Sequence, residues 1–214
     1  PKEAWDQVLS ASYAETGQGD QALKLAQEQL AKNPNDATTM HNAITLMVQA
    51  QKYPDALKLM EQARSNGLLK DEKDYVNMAK LYLVIGQDSD DAMKADSDKA
   101  LAVLTEGLGK GIIKPSYEVY KLQGQAAAYA GNNTQALAAY DKASAMAKDG
   151  EADLYSAQLL NEMEKYSQGR AAAKKAIQRG VSHMGSAYML LAQAEAALKN
   201  KPAAVSAMKK AAQY

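Results

Sequence analysis

The chain repeats one arrangement of polar and apolar residues, in which a short polar turn is followed by Ala and then Leu. This arrangement is clear in residues 19–23, 53–57, 98–101 and 133–137, and residues 166–170 and 201–205 follow it loosely. The small residues that come after each turn are Ala22, Ala56, Ala100, Ala136, Gly169 and Ala204. Their spacings are 34, 44, 36, 33 and 35 residues. A unit held in phase over this distance predicts a repeat architecture instead of an irregular bundle.

A second column of small residues lies about twelve positions before the first column. Its members are Ser10, Ala79, Gly124, Ala157 and Ala192, with Ile44 as the exception. A third column holds Ala63, Ala143, Ala176 and Ala211, with Gln29 and Gly107 as exceptions. Small residues at matching helix positions let two helices cross closely, while larger residues fill the grooves between units. The columns therefore predict an all-α protein built from pairs of helices, A and B.

Turn residues divide the chain into units within a single domain, 1–214. Pro or Gly closes the second helix of a unit near residues 33–36, 65–67, 109–111, 148–150 and 179–180. The predicted repeats are 3–36, 37–70, 72–113, 117–150, 150–183 and 185–214. An insertion near 87–98 lengthens the third repeat. Asp90 and Asp91 there favour the positive end of a helix dipole, which predicts that helix B begins early and runs long.

Charge and composition exclude several classes of function. The chain has 25 basic and 25 acidic residues and a net charge of zero, and no basic cluster exceeds two residues, so we expect no nucleic-acid partner. No apolar stretch is long enough to span a bilayer, so we expect no membrane insertion of this segment. The absence of cysteine excludes disulfides and thiolate metal sites.

Catalytic and metal-binding patterns are missing as well. His41 and His183 lie four repeats apart, and no nucleotide-binding or hydrolase motif occurs. The acidic insertion lacks the Gly and Glu of a calcium loop, since Met93 and Lys99 stand at those places. We therefore predict a protein that is not an enzyme and needs no cofactor and no metal.

The columns resemble the tetratricopeptide repeat family over the whole chain, with Tyr53, Ala56, Ala63 and residues 122–124 and 140–143 as representative matches. The resemblance implies a right-handed α-solenoid of about six helix-turn-helix repeats that binds a peptide or partner protein in its concave groove. It also implies that helix A lines this groove. The implied partner-binding residues are Gln7, His41, Asn42, Thr45, Gln49, Lys73, Asn77, Lys80, Lys121, Gln125, Tyr129, Gln158, Asn161, Glu162 and Gln193. The alternative is that these residues form only a solvated face.

A narrower resemblance concerns residues 67–70, 101–108, 110–113 and 149–155. These segments are similar to proteobacterial repeat proteins encoded beside TonB energy-transduction systems. Together with the absence of cysteine, this likeness implies a periplasmic protein, with the cytoplasm as the alternative.

A second function of a different class is a structural scaffold that stacks with itself through its terminal repeats. The last residue of the sequence, Tyr214, comes directly after the predicted sixth helix B. Leu191, Val205 and Met208 are therefore expected to contribute to an exposed apolar patch, covered by a neighbouring copy or by further residues.

Overall fold

Helices account for all the regular secondary structure in the part of the chain that the computed structural model describes, residues 19–86 and 89–214. They are α1 (Gly19–Lys32), α2 (Ala37–Gln49), α3 (Tyr53–Ser65), α4 (Glu72–Ile85), α5 (Asp90–Gly109), α6 (Tyr117–Tyr129), α7 (Asn133–Met146), α8 (Glu151–Glu162), α9 (Tyr166–Arg179), α10 (Met184–Ala197) and α11 (Lys201–Ala211). The pairs α2–α3, α4–α5, α6–α7 and α8–α9 fall within the predicted repeat ranges, and α10–α11 does so except that α10 begins one residue before the predicted start at 185. The helix A predicted for the first repeat lies outside the described residues.

Polar side chains fix where several helices begin. Asp36 accepts a hydrogen bond from the Thr39 amide at 2.7 Å and caps α2. Ser116 caps α6 in the same way. Such caps satisfy amides that have no partner within the helix. Ser89 caps α5, whose 20 residues make it longer than the helices around it, and Asp90 and Asp91 lie in its first turn. The prediction of a long helix B in the third repeat is therefore confirmed.

The small-residue columns are buried where the structure describes them, except that Ala211 in the last helix is half-buried. Ala22, Ala56, Ala100 and Ala136 are fully excluded from solvent, and Gly169 and Ala204 are also buried. Gly124 shows why the second column must be small: a Cβ there would overlap the ring of Tyr140. Each column residue lets helix A approach helix B closely, as the sequence predicted.

Each helix packs against the next helix along the chain. First helices of neighbouring pairs also contact each other: α4 contacts α6, and α8 contacts α10. This arrangement stacks the pairs into an α-solenoid and brings the first helices of successive pairs side by side. None of the helices in the described residues is long and apolar enough to cross a membrane.

Charged side chains also cross between pairs. Arg64 of α3 forms an ion pair of 2.8 Å with Glu106 of α5. Further along, Asp153 of α8 is only 5% exposed. It contacts Lys175 and Arg179 of α9 at 2.8 and 3.0 Å and accepts a hydrogen bond from Ser144 of α7 at 2.7 Å. The Arg64–Glu106 ion pair and the Ser144–Asp153 hydrogen bond cross from one pair to the next, whereas the two Asp153 ion pairs join the helices of a single pair.

Candidate functional site

An open cleft of about 820 Å³ lies between α2, α4 and α6, the first helices of three successive pairs. We call it the α4 cleft because most of its wall comes from that helix. Four of the predicted groove residues meet in it: His41, Lys73, Asn77 and Lys80. Its other lining residues are Asp71, Glu72, Asp74, Val76, Ser116, Glu118 and Val119. The cleft thus combines side chains from helices that are far apart in sequence.

The amphipathic pattern of α4 explains why its polar residues face the cleft. Tyr75, Met78, Ala79, Leu81 and Tyr82 are buried on the other side of this helix. Their spacing is that of one helical face, so the residues between them are turned outward. Lys73, Asn77 and Lys80 are all exposed and form a polar stripe along the cleft.

A histidine–carboxylate contact joins two walls of the cleft. The Nδ1 atom of His41 lies 3.5 Å from Oδ1 of Asp74. Burial raises the pKa of Asp74 above its ordinary value, and the negative charge of Asp71 adds to this effect, while His41 opposes it. The Asp74 carboxylate is therefore incompletely compensated by its surroundings.

Lys121, another predicted groove residue, has a side chain that contacts residues of its own helix, α6. Its ammonium group lies 2.8 Å from Glu118 and 4.9 Å from the centre of the Tyr117 ring. Burial alone would lower the pKa of Lys121, but the hydrogen bond to Glu118 and the electrostatic effects of Glu118, Tyr117 and Tyr155 together outweigh burial and raise it. The charge of Lys121 is thus partly used within α6.

A smaller cavity of about 280 Å³ adjoins the α4 cleft and shares His41, Asp71 and Asp74 with it. Its remaining walls are mainly apolar and include Met40, Ile44, Ala63, Leu68 and Leu69. The shared carboxylates therefore stand between a polar cleft and an apolar recess.

Other predicted residues lie on first helices but do not line the α4 cleft. Thr45, Gln49 and Tyr129 are exposed, and Asn42 and Gln125 are half-buried. Gln158, Glu162 and Gln193 are exposed on α8 and α10, where Gln158 donates a hydrogen bond of 2.9 Å to Glu162. Gln7 lies outside the described residues.

Asn161 is not available to a partner, which corrects its assignment to the groove. It is only 2% exposed. Its Nδ2 donates to the main-chain oxygen of Leu190 at 2.9 Å and to Gln193 at 3.3 Å. Its Oδ1 occupies the space left by Gly169, where a Cβ would overlap it. Asn161 therefore joins α8, α9 and α10 inside the protein.

Sequence reasoning missed the residues at the helix starts that line the α4 cleft, above all Asp74, Ser116 and Glu118. Acidic and capping residues at a helix start have an ordinary structural role, so the pattern gave no reason to assign them to the groove. The signal available was their position, since the first turns of α4 and α6 lie beside each other once first helices stack.

A further cavity of about 670 Å³ lies near the C-terminal end of the solenoid, between α8, α10 and α11. Gln158, Met189, Leu190 and Met208 line it, together with Gly185, Ser186, Ala211 and Ala212. Val205 and Met208 are 50% and 55% exposed, as expected for the apolar patch, whereas Leu191 is half-buried.

Neither a protein-family model nor a curated protein matches the sequence. Solved structures do share its fold. YrrB, described as a TPR protein with an unusual peptide-binding site, superposes with a TM-score of 0.65 at 16% identity, over 87% of this chain and 90% of YrrB. The C-terminal part of a TPR repeat-containing protein from Cytophaga hutchinsonii gives 0.63 at 16% identity, over 96% of this chain and 77% of that one.

MamA gives a TM-score of 0.56 at 17% identity, over 95% of this chain and 92% of its own. At such identities a likeness between structures establishes the fold alone. The chain therefore has the all-α tetratricopeptide-repeat fold, and the predicted α-solenoid is confirmed.

Proposed function

We propose that this protein is a non-catalytic scaffold that binds a peptide or partner protein on the face formed by its first helices, with the α4 cleft as the principal site. The observation that carries this proposal is the meeting of His41, Lys73, Asn77 and Lys80 in one open cleft. Side-chain amides and ammonium groups provide the donors that the main chain and carboxylates of a bound segment need. The peptide-binding site named for YrrB, a protein of the same fold, agrees with this function.

The cleft suits binding better than chemistry. Within residues 19–86 and 89–214, no group of three or more His, Asp or Glu side chains is placed to hold a metal ion. Among the described residues that line the cleft, Ser116 supplies the one hydroxyl group, which caps α6 by accepting a hydrogen bond from the Val119 amide.

The test is affinity capture from cells with the wild-type chain and two charge-reversal variants. Lys73→Glu with Lys80→Glu changes the α4 cleft, and Lys58→Glu with Lys94→Glu changes two exposed lysines of α3 and α5 by the same charge. We expect the cleft variant to recover the partner about tenfold less, and the control variant to recover it normally. Equal recovery by both variants would refute the α4 cleft as the binding site.

A second candidate function, self-assembly through the last helix pair, is favoured by the exposed Met189, Val205 and Met208. Contiguous exposed apolar surface commonly marks an interface. Under this alternative, Met189→Glu with Met208→Glu lowers the molar mass measured by light scattering after size exclusion. Met146→Glu is the matched control, because Met146 is also about half exposed but lies on α7. A wild-type chain that stays monomeric at high concentration would exclude self-assembly.

We further propose a periplasmic setting within a TonB-linked envelope system. The short motif likenesses at 67–70, 101–108, 110–113 and 149–155 and the absence of cysteine support it. Cell fractionation and the genomic neighbourhood test this setting. A full-length precursor retained in the cytoplasm, with no export signal, would overturn it.

A further inference from the structure

The smaller cavity that adjoins the α4 cleft lies at the junction between two helix pairs. Its walls come from α2, the end of α3, the loop of residues 66–71 and the start of α4. We call this cavity of about 280 Å³ the junction recess. The helices α3 and α4 pack less extensively than the helices at the other junctions between pairs, and the recess lies where they are loosely packed.

Most of the lining of the junction recess is apolar. Met40 and Ile44 of α2 and Leu69 of the loop are buried, and Ala63 and the half-buried Leu68 extend this surface. A hydrocarbon group that enters the recess would therefore be removed from water. The volume lies below the about 300–1,000 Å³ of typical small-molecule pockets, so the recess suits a single side chain.

The charged lining of the recess is acidic. Among the described residues that line it, Asp71 and Asp74 are the carboxylates, His41 is the basic residue, and neither Lys nor Arg occurs. An imidazole carries a full positive charge only when it is protonated. The lysines of the neighbouring α4 cleft, Lys73 and Lys80, do not line the recess. Charge complementarity therefore favours a cationic occupant here.

Neither carboxylate has a strong partner within the described chain. Asp71 stands at the N-cap of α4, but its side chain makes no capping hydrogen bond, in contrast to Asp36 at the start of α2. The Asp74 side chain is only 13% exposed, and its ion-pair partner is the exposed imidazole of His41 at 3.5 Å. Burial of Asp74 and the negative charge of Asp71 both raise the pKa of Asp74. A cation between the two carboxylates would offset both effects.

An arginine side chain matches both halves of this lining. Its aliphatic stem can lie against apolar surface while its charged end pairs with carboxylates. The planar guanidinium has five N–H donors and is more weakly hydrated than an ammonium group, so it can bind two carboxylates in a partly covered site. An aliphatic side chain would leave both carboxylates unpaired, and an acidic one would be repelled by them.

We propose that the junction recess binds an arginine side chain of the partner segment that lies in the α4 cleft. The stem packs against Met40 and Ile44, and the guanidinium donates hydrogen bonds to Asp71 and Asp74. This inference rests on the proposed function and names a residue that the partner must carry.

Nuclear magnetic resonance titration of the ¹⁵N-labelled chain tests the inference. The main probe is a glycine pentapeptide, acetylated and amidated at its ends, with arginine at its centre. Its controls carry citrulline, which has nearly the same shape without the charge, or norleucine, which is only aliphatic. We expect the arginine peptide to shift the amides of residues 37–44 and 68–74 saturably and to bind about fivefold more tightly than either control. The affinity should fall as salt rises to about 0.5 M.

Protein variants complete the experiment. Asp74→Asn keeps the shape of the side chain and removes its charge, so it should remove most of the preference for arginine over citrulline. Asp141→Asn is the matched control, because Asp141 is exposed on α7, and it should retain the preference. Circular dichroism of each variant confirms that the helices are intact. An undiminished preference in Asp74→Asn, or an equal loss in Asp141→Asn, would overturn the inference.

The peptides alone can also overturn it. Equal binding of all three peptides would show that the recess does not recognise the charge, and tighter binding of the norleucine peptide would make it an apolar pocket. The proposed function fails separately. A captured natural partner that depends on Lys73 and Lys80 but is unaffected by Asp74→Asn would sink the inference and keep the function. A partner indifferent to all three residues would remove both.

Discussion

The imidazole of His41 and the carboxylate of Asp74 lie 3.5 Å apart and join α2 to α4 at the wall of the α4 cleft. His41 is mostly exposed, whereas the Asp74 side chain is largely covered. One exposed imidazole is weak compensation for a covered carboxylate. The covered Asp74 carboxylate is therefore expected to lower the stability of the fold at neutral pH.

Replacing Asp74 with Asn should stabilise the protein at neutral pH. Burial raises the pKa of Asp74 above its ordinary value of 3.8, so the native state binds this proton more tightly than the unfolded state does. Stability from this group is present below the unfolded pKa and is lost as pH rises through the native pKa. Thermal unfolding should show a higher Tm for Asp74→Asn at pH 7, with the gain shrinking as pH falls towards 3.8.

Asp141→Asn is the control, since Asp141 is exposed on α7. It should leave Tm nearly unchanged at both pH values. A lower Tm for Asp74→Asn at pH 7 would mean that the His41 contact stabilises the fold more than burial of the carboxylate opposes it.

Gly124→Ala should destabilise the α6–α7 pair. A Cβ at this position would overlap the Tyr140 ring, and forcing extra volume into a packed contact costs about 1–3 kcal/mol. Gly109→Ala is the matched control, because a Cβ there meets no atom within 4 Å. Urea unfolding followed by circular dichroism should show a loss for the first variant and none for the second. Equal urea midpoints for the two variants would contradict this prediction, because they would show that α6 and α7 admit the added Cβ with no loss of stability.

Asp153→Ala should be among the most damaging single changes on the solenoid. It leaves the cations Lys175 and Arg179 without the buried carboxylate that both contact. Because Lys175 is 55% exposed and Arg179 is 22% exposed, the loss should lie below that of a fully buried ion pair, about 3–5 kcal/mol, but above the cost of breaking an exposed one. Glu118→Ala breaks the exposed pair with Lys121 and should cost less than about 1 kcal/mol. Comparable losses for the two variants in urea unfolding would contradict this ranking.

The repeat columns made most of the fold predictable, because burial in a solenoid depends on small residues at a fixed period. Ala56, Ala100 and Ala136 are buried as their spacing predicted. The early start of α5 in the irregular third repeat was also predictable, since Asp90 and Asp91 favour the positive end of a helix dipole. These features are local, and local sequence is sufficient to determine them.

The candidate site was less predictable because it depends on neighbours from other repeats. Helical position alone turns Lys73 and Lys80 outward, and the structure places them in the cleft. The same rule fails for Asn161, which is buried because Gly169 of the next helix leaves room for its amide. Helical position also gave no indication of Glu118, which lines the cleft because the starts of α4 and α6 lie side by side. Tertiary packing decided each of these outcomes.

Site-specific photo-crosslinking tests the binding face most directly. A benzophenone amino acid in place of Asn77 lies in the α4 cleft, whereas one in place of Lys58 lies on the exposed side of α3. A third, in place of Met208, reports on the apolar end. After irradiation in cells, the partner should be joined to the chain from position 77 and not from position 58. Crosslinks of equal yield from position 58, or crosslinks only from position 208 to a second copy of the chain, would contradict binding in the cleft.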